Sequence, residues 1–203
     1  MRPASLPRLM LVTDRRRTAG RPIVEVVAEA VGAGARFVQL RERDLSEPEL
    51  AALLGELLLR VPPETRIAVN GSPALARLHR LGLHLPAGAD RPDVSGIPLV
   101  GRSAHDRGEL ARAVDEGAAY AILGTIFSTA SKPAQKGRGL DWLRDTLSVA
   151  PRLPVYAIGG LEAANAAAAV AAGAHGVAVC GAILTAPDPA AATARLLEAL
   201  GER

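Results

Sequence analysis

A chain of 203 residues with 49% hydrophobic but only 2% aromatic residues is long enough for one α/β domain whose core is built from aliphatic side chains. The formal charge of +3, without interleaved aromatic residues, excludes a dedicated nucleic-acid-binding protein and suits a small anionic ligand. One cysteine excludes an internal disulfide and a cysteine metal cluster, and the chain shows neither a signal-peptide pattern nor a membrane-spanning run, so we expect a cytoplasmic protein that binds no membrane.

Short hydrophobic runs alternate with longer amphipathic runs along the whole chain. Between the short runs, apolar residues recur at helical spacing. The eight short runs predict strands at 9–14, 37–42, 66–71, 82–86, 98–103, 120–127, 154–160 and 176–183. Eight strands that alternate with helices and lack a linker predict one compact (β/α)8 TIM barrel over residues 1–203, with an open doubly wound sheet as the alternative.

Strand two ends in a run of alternating charge, QLRERD. In such barrels the active site lies at the C-terminal ends of the strands. Side chains alternate along a strand, so Gln39, Arg41 and Arg43 are expected on one face, where the two guanidinium groups would bind phosphate oxygens. A cluster of loop ion pairs with Glu42 and Asp44 is an equally weighted alternative.

Polar residues also end strands three and five. Asn70 follows strand three, and Ser103 and His105 share one face at the end of strand five. His105 is a candidate acid/base because an ordinary imidazole pKa suits proton transfer near neutral pH, although a lone histidine is more often structural. The other histidines are interpreted as structural and lack metal-ligand spacing; they are His79, His84 and His175.

Glycines end strands seven and eight. Gly159 and Gly160 follow strand seven, and Cys180 and Gly181 lie at the end of strand eight. Barrels often bind phosphate after these strands, so we include all four among the candidate phosphate-binding residues, with a tight turn as the alternative for the Gly-Gly pair. We expect the Cys180 thiol to be buried and inert. The run 14–21 (DRRRTAGR) is typical of a solvated loop that at most steers anions.

Six segments in order resemble the thiamine phosphate synthase family, which includes the TenI-like thiazole tautomerases: QLRERDL, VNG, GRSAH, GTIFSTASK, AIGG and GVAVCGAI. The resemblance covers residues 9–187. It implies a barrel enzyme of thiamine biosynthesis that binds a phosphorylated thiazole. In the synthases a Thr-x-Thr-Lys pattern after strand six contacts diphosphate, and Thr129, Ser131 and Lys132 match that pattern here.

The resemblance leaves the reaction open between two branches. The synthases join a pyrimidine diphosphate to thiazole phosphate with Mg²⁺, which is held by aspartates after strands three and four. Here those places read Asn70-Gly71 and Pro86-Ala-Gly-Ala, with Asp90 one residue beyond the second. Mg²⁺ prefers carboxylate oxygens, so we expect no metal unless Asp90 substitutes.

The replacing residues resemble the tautomerases, which convert one tautomer of thiazole carboxylate phosphate to the aromatic one without a cofactor. Such a proton shift requires an acid/base and an anion site. The tautomerase histidine after strand six corresponds to Thr125, so we expect His105, or a water held by Thr125, to transfer the proton.

A TenI-like tautomerase is therefore the main hypothesis for this sequence. A thiamine phosphate synthase that uses Mg²⁺ is the first alternative. A non-catalytic or regulatory barrel that binds thiazole phosphate is the second. Each hypothesis has a phosphorylated thiazole as the partner, and each leaves open whether the chain forms a homo-oligomer.

Overall fold

The fold is a closed barrel of eight parallel strands that pair in chain order, with the first strand beside the last. The computed structural model describes residues 6–129 and 136–202. The strands are β1 (Leu9–Val12), β2 (Phe37–Leu40), β3 (Arg66–Asn70), β4 (Gly82–Leu85), β5 (Val100–Ala104), β6 (Tyr120–Gly124), β7 (Val155–Ile158) and β8 (Gly176–Val179). The predicted TIM barrel is confirmed. Most strands end before their predicted C-terminal limit, because the polar and glycine residues there leave the hydrogen-bonded ladder.

Helices cover the outside of the barrel. They are α1 (Ile23–Gly32), α2 (Glu47–Arg60), α3 (Pro73–Leu78), α4 (Arg107–Asp115), α5 (Gly139–Leu147), α6 (Ala163–Ala171), α7 (Gly181–Leu184) and α8 (Pro189–Ala199), with a short 3-10 helix at Arg15–Arg17. Among the described residues, no helix is long and apolar enough to cross a bilayer. Side-chain caps start several helices: Asp106 accepts from the Glu109 N–H and Asp188 from the Ala191 N–H.

Three aromatic rings fill the lower half of the barrel interior. Phe37, Tyr120 and Tyr156 pack edge to face, with ring centroids 5.3, 6.0 and 5.9 Å apart. All three are fully buried. Glycine at position 101 makes room for them, because a Cβ there would overlap the Tyr120 ring. The interior is therefore a packed plug below, and its polar side chains lie above, toward the C-terminal ends of the strands.

We expect Gly101→Ala to destabilise the protein by roughly 1–3 kcal/mol or more, since the added methyl group overpacks a site already filled by Tyr120. Gly55→Ala is a matched control: it lies in α2, a Cβ there meets nothing within 4 Å, and removing a helical glycine stabilises by up to about 1 kcal/mol. Urea unfolding of both variants measures the difference. Equal midpoints would contradict this account of the barrel interior.

Candidate active site

A row of polar side chains lines the upper interior of the barrel on four neighbouring strands. Gln39 Nε2 donates to Asn70 Oδ1 at 3.1 Å. Asn70 is the register partner of His84 on β4, and His84 Nε2 lies 2.8 Å from Ser103 Oγ on β5. Each residue stands two positions after an interior residue of its own strand, so strand alternation turns it inward. The structure thus brings together the predicted site residues Gln39, Asn70 and Ser103.

His84 is the central member of this row, a role that its place in a short strand does not predict. The ring is fully buried, and its Nδ1 lies 3.1 Å from the Tyr120 hydroxyl. Burial, followed by the charges of Arg41 and Arg102, lowers the pKa of His84 to about 3. The imidazole is therefore neutral near pH 7.

A neutral imidazole has one N–H and one acceptor nitrogen. We assign the proton to Nε2, because the Tyr120 hydroxyl can then donate to Nδ1 while Nε2–H donates to Ser103 Oγ. The hydroxyl proton of Ser103 is then left to donate into the barrel mouth. His84 positions Ser103 in this arrangement and is no acid/base at neutral pH.

Two arginines follow β2. The strand ends at Leu40, and Arg43 is exposed. The prediction that strand alternation places Arg41 and Arg43 on the same face as Gln39 is therefore wrong. Arg41 is half-buried, and its backbone N–H donates to Thr13 Oγ1 at 2.9 Å. Burial first, and then the like charge of Arg43, lowers the pKa of Arg41. Both features favour a counter-anion near Arg41.

The predicted alternative, ion pairs within residues 41–44, is not what forms. Glu42 Oε2 accepts from the Arg15 backbone N–H at 2.9 Å, and Asp44 pairs with the Arg15 guanidinium at 2.8 Å. Both acids are therefore engaged by the loop after β1. Neither the Arg41 nor the Arg43 guanidinium donates a hydrogen bond within residues 6–129 and 136–202, which leaves both able to bind an anion.

Cys180 and Gly181 lie where β8 ends and α7 begins. Burial raises the pKa of the half-buried Cys180 thiol to about 11, while the nearby Arg17 and Arg41 act in the opposite direction. The thiol is therefore protonated near neutral pH. It is half-buried rather than buried as expected, and its predicted inertness stays a prediction. The Gly181 N–H is the first of α7, so it has no partner within that helix.

The glycines after β7 permit a close approach of the loop that follows β6. Gly159 and Gly160 have φ of +104° and +63°. A Cβ at Gly159 would lie 2.5 Å from Thr125 Cγ2, and one at Gly160 would lie 2.7 Å from Phe127 Cβ. This packing and the positive φ angles explain both glycines structurally, which supports the alternative interpretation of the pair as a tight turn. The predicted phosphate contact of this pair stays a prediction.

The predicted proton-transfer residues follow β5 and β6 and are not members of the polar row. His105 follows β5 and is exposed; Glu109 Oε2 accepts from its backbone N–H at 2.6 Å and lies 3.0 Å from its Nδ1. When Nδ1–H donates to Glu109, the Nε2 lone pair is left to accept a proton. Thr125 is buried against Gly159.

The diphosphate-contact pattern of the loop after β6 is only partly visible. Thr129 is half-buried at the last residue before the gap in the description. Ser131 and Lys132 lie outside the described residues. At the base of the loop, the Gly139 N–H donates to the Ile126 carbonyl at 2.8 Å, so the loop returns to the barrel next to β6.

The residues after β3 and β4 do not fit a magnesium ion. Asn70 Oδ1 already accepts from Gln39, and the buried Arg102 side chain donates to three carbonyls of segment 86–89 at 3.2, 3.1 and 2.8 Å. Asp90 is exposed beyond that segment. Among the described residues, no group of three or more His, Cys, Asp or Glu side chains could hold a metal ion. The oxygens that Mg²⁺ would need are engaged or uncharged.

The sequence is similar to a protein family and to curated proteins that carry the same name. A family model described as thiamine monophosphate synthase matches residues 9–183. The putative thiamine-phosphate synthase of Geobacter sulfurreducens is 38% identical over 205 residues, which cover 96% of this chain and 95% of that protein. The thiamine-phosphate synthase of a Roseiflexus species is 37% identical, covering 95% of this chain and 86% of the relative.

Solved structures show the same architecture. The thiamine phosphate pyrophosphorylase of Pyrococcus furiosus superposes with a TM-score of 0.78 at 28% identity, covering 96% of this chain and 95% of that one. The enzyme of the same name from Bacteroides thetaiotaomicron has a TM-score of 0.73 at 18% identity, with 96% and 98% covered, and this likeness shows the fold alone.

The neutral His84 makes stability depend on pH. Its pKa is about 3 in the folded protein and 6.5 when unperturbed, so between these values the unfolded chain binds a proton that the folded chain does not. This contribution to the free energy of unfolding is complete above pH 6.5 and is lost toward pH 3, at up to about 1.4 kcal/mol per pH unit.

We expect His84→Gln to flatten the pH dependence of urea unfolding between pH 6 and 4 relative to the unsubstituted protein. His79→Gln, at the exposed end of α3, is the matched control and should leave the slope as it is. Identical slopes in all three proteins would show that His84 is charged or accessible in the folded state.

Proposed function

This chain belongs to the thiamine monophosphate synthase family, and on that premise we propose that its barrel mouth binds a phosphorylated thiazole and shifts a proton on it without a metal ion. The relatives' names support an enzyme of thiamine biosynthesis that acts on a small phosphorylated substrate. The choice of a proton shift rests on the residues of the site. The TenI-like tautomerases that the sequence resembles carry out this reaction.

The observation that carries the proposal is the position of Arg41. Its charge lowers the pKa of His84 and opposes the rise in the pKa of Cys180, so the guanidinium lies near both the polar row and the end of β8. A half-buried guanidinium that donates no hydrogen bond in the described part of the chain is stabilised by an anion. A phosphate ester that docks there would present its ring to Ser103 and Asn70, whose uncharged groups can hydrogen-bond it.

A tautomerisation changes only bonds to hydrogen, so it requires a group that removes a proton and a group that returns one. We assign the first role to His105, whose Nδ1–H can be held by Glu109 so that Nε2 accepts the proton. The same Nε2–H can return the proton to another atom of the substrate. Ser103, oriented by His84, would fix the substrate by donating its hydroxyl proton. A water held by Thr125 is the alternative carrier.

A thiamine-phosphate synthase is the second candidate, and the names of the curated relatives support it better than they support a proton shift. The oxygen atoms after β3 and β4 argue against a synthase, because they already accept hydrogen bonds and do not fit the magnesium ion that the synthases use. Asp90, the carboxylate that follows segment 86–89 directly, is exposed.

We expect the purified protein to convert the first tautomer of thiazole carboxylate phosphate faster than buffer does, at a rate that EDTA leaves unchanged, as followed by NMR. His105→Asn should lower kcat by about 100-fold or more, the scale of a lost acid/base. His79→Asn, at the exposed end of α3, is the matched control and should retain full activity.

A parallel assay supplies pyrimidine diphosphate, thiazole phosphate and Mg²⁺ and measures thiamine phosphate. Formation of that product, abolished by EDTA, would establish the synthase and contradict the metal-free proposal. Binding of thiazole phosphate without turnover in either assay would identify a non-catalytic barrel.

A further inference from the structure

The three consecutive arginines after β1 have different surroundings. Arg15 pairs with Asp44 at 2.8 Å, and Arg16 pairs with Asp14 at 3.3 Å. Both are exposed, as expected for a solvated loop. Arg17 is half-buried, and its guanidinium forms no ion pair or hydrogen bond with any residue that the structure describes. It is thus the member of the run whose charge is left uncompensated.

Arg17 is turned toward the end of β8. Its Nη2 and Cζ lie 3.0 and 3.5 Å from where a Cβ of Gly181 would be, so the guanidinium lies directly over that glycine. A side chain at position 181 would shift the guanidinium by a few tenths of an ångström. The Gly181 N–H opens α7 and has no partner within that helix.

Charged groups of both signs surround the end of β8, where Arg17 lies. The charges of Arg17 and Arg41 both act on the Cys180 thiol, so both guanidinium groups lie near it. Two acids, Asp14 and Glu42, act on the same thiol in the opposite direction. Both are already engaged, since Asp14 accepts from Arg16 and Glu42 accepts from the Arg15 N–H. Neither neutralises Arg17, whose charge is therefore available to a ligand.

We propose that Arg17 is a further phosphate-binding residue, which contacts the phosphoryl oxygens of the ligand over Gly181 while Arg41 contacts them from the β2 side. The proposal rests on the proposed function, because it concerns the same ligand. It makes the β1 loop part of the binding site. It also assigns Arg17 a specificity role: the residue favours a dianionic phosphate ester over the dephosphorylated alcohol, since two guanidinium groups match the ester's charge.

The test is calorimetric titration of thiazole phosphate and of the dephosphorylated hydroxyethylthiazole into four proteins. They are the unsubstituted protein, Arg17→Ala, Arg17→Lys and, as the matched control, Arg16→Ala. We expect Arg17→Ala to weaken phosphate-ester binding by about 10- to 100-fold, the scale of a charge-assisted contact. Arg17→Lys should recover part of this affinity. Arg16→Ala should change it by less than about 2-fold, because Arg16 is exposed and already paired.

Three further readouts decide between the outcomes. Affinity for the alcohol should be the same in all four proteins, and melting temperatures should agree, which excludes a folding effect. If Arg17→Ala binds the phosphate ester as tightly as Arg16→Ala does, the inference is wrong while the proposed function stands. If the protein binds inorganic phosphate with the same dependence on Arg17 but does not bind thiazole phosphate, the inference stands and the proposed function is wrong.

Discussion

Uncompensated positive charge at the mouth of the barrel is the constraint on which the proposed function depends. Arg17 and Arg41 are both half-buried and have no carboxylate partner in the part of the chain that the structure describes. The nearest acids are engaged by Arg15 and Arg16 in the same β1 loop. Partial burial of an unpaired charge is unfavourable, and an anionic ligand relieves that cost. In the proposed function, the phosphate group of the substrate is that anion.

The rest of the barrel closes the interior below the charged groups and fixes the polar wall beside them. An aromatic plug closes the lower interior, and glycine at position 101 is needed for it to fit. Above the plug, the buried and neutral His84 joins Tyr120 to Ser103 and so turns the serine hydroxyl toward the mouth. On the outer face of β5, Arg102 holds three carbonyls of the segment after β4. Hydrogen bonds from Gln39 and from the Arg102 guanidinium thus fix the wall of the barrel at the ends of β3 and β4.

The sequence predicts the barrel and part of its site, because periodicity reveals strands and their faces. It does not predict contacts between side chains on different loops. Strand and helix periods repeat eight times, and strand alternation places Gln39 and Ser103 inside. Alternation fails at Arg41 and Arg43, because β2 ends first. Three consecutive arginines cannot be told apart in the sequence. In the structure, Arg15 and Arg16 each pair with an aspartate, whereas Arg17 lies over Gly181. His84 was interpreted as structural, and only its partners on β5 and β6 reveal that it orients Ser103.

A crystal structure of the protein with thiazole carboxylate phosphate bound is the most direct measurement of the central claim. The account predicts phosphoryl oxygens within hydrogen-bonding distance of a guanidinium at the mouth and of the Gly181 N–H, with the thiazole ring next to Ser103. A ligand bound at the opposite end of the barrel, or a mouth filled by the protein's own side chains with no space for a phosphate group, would contradict it.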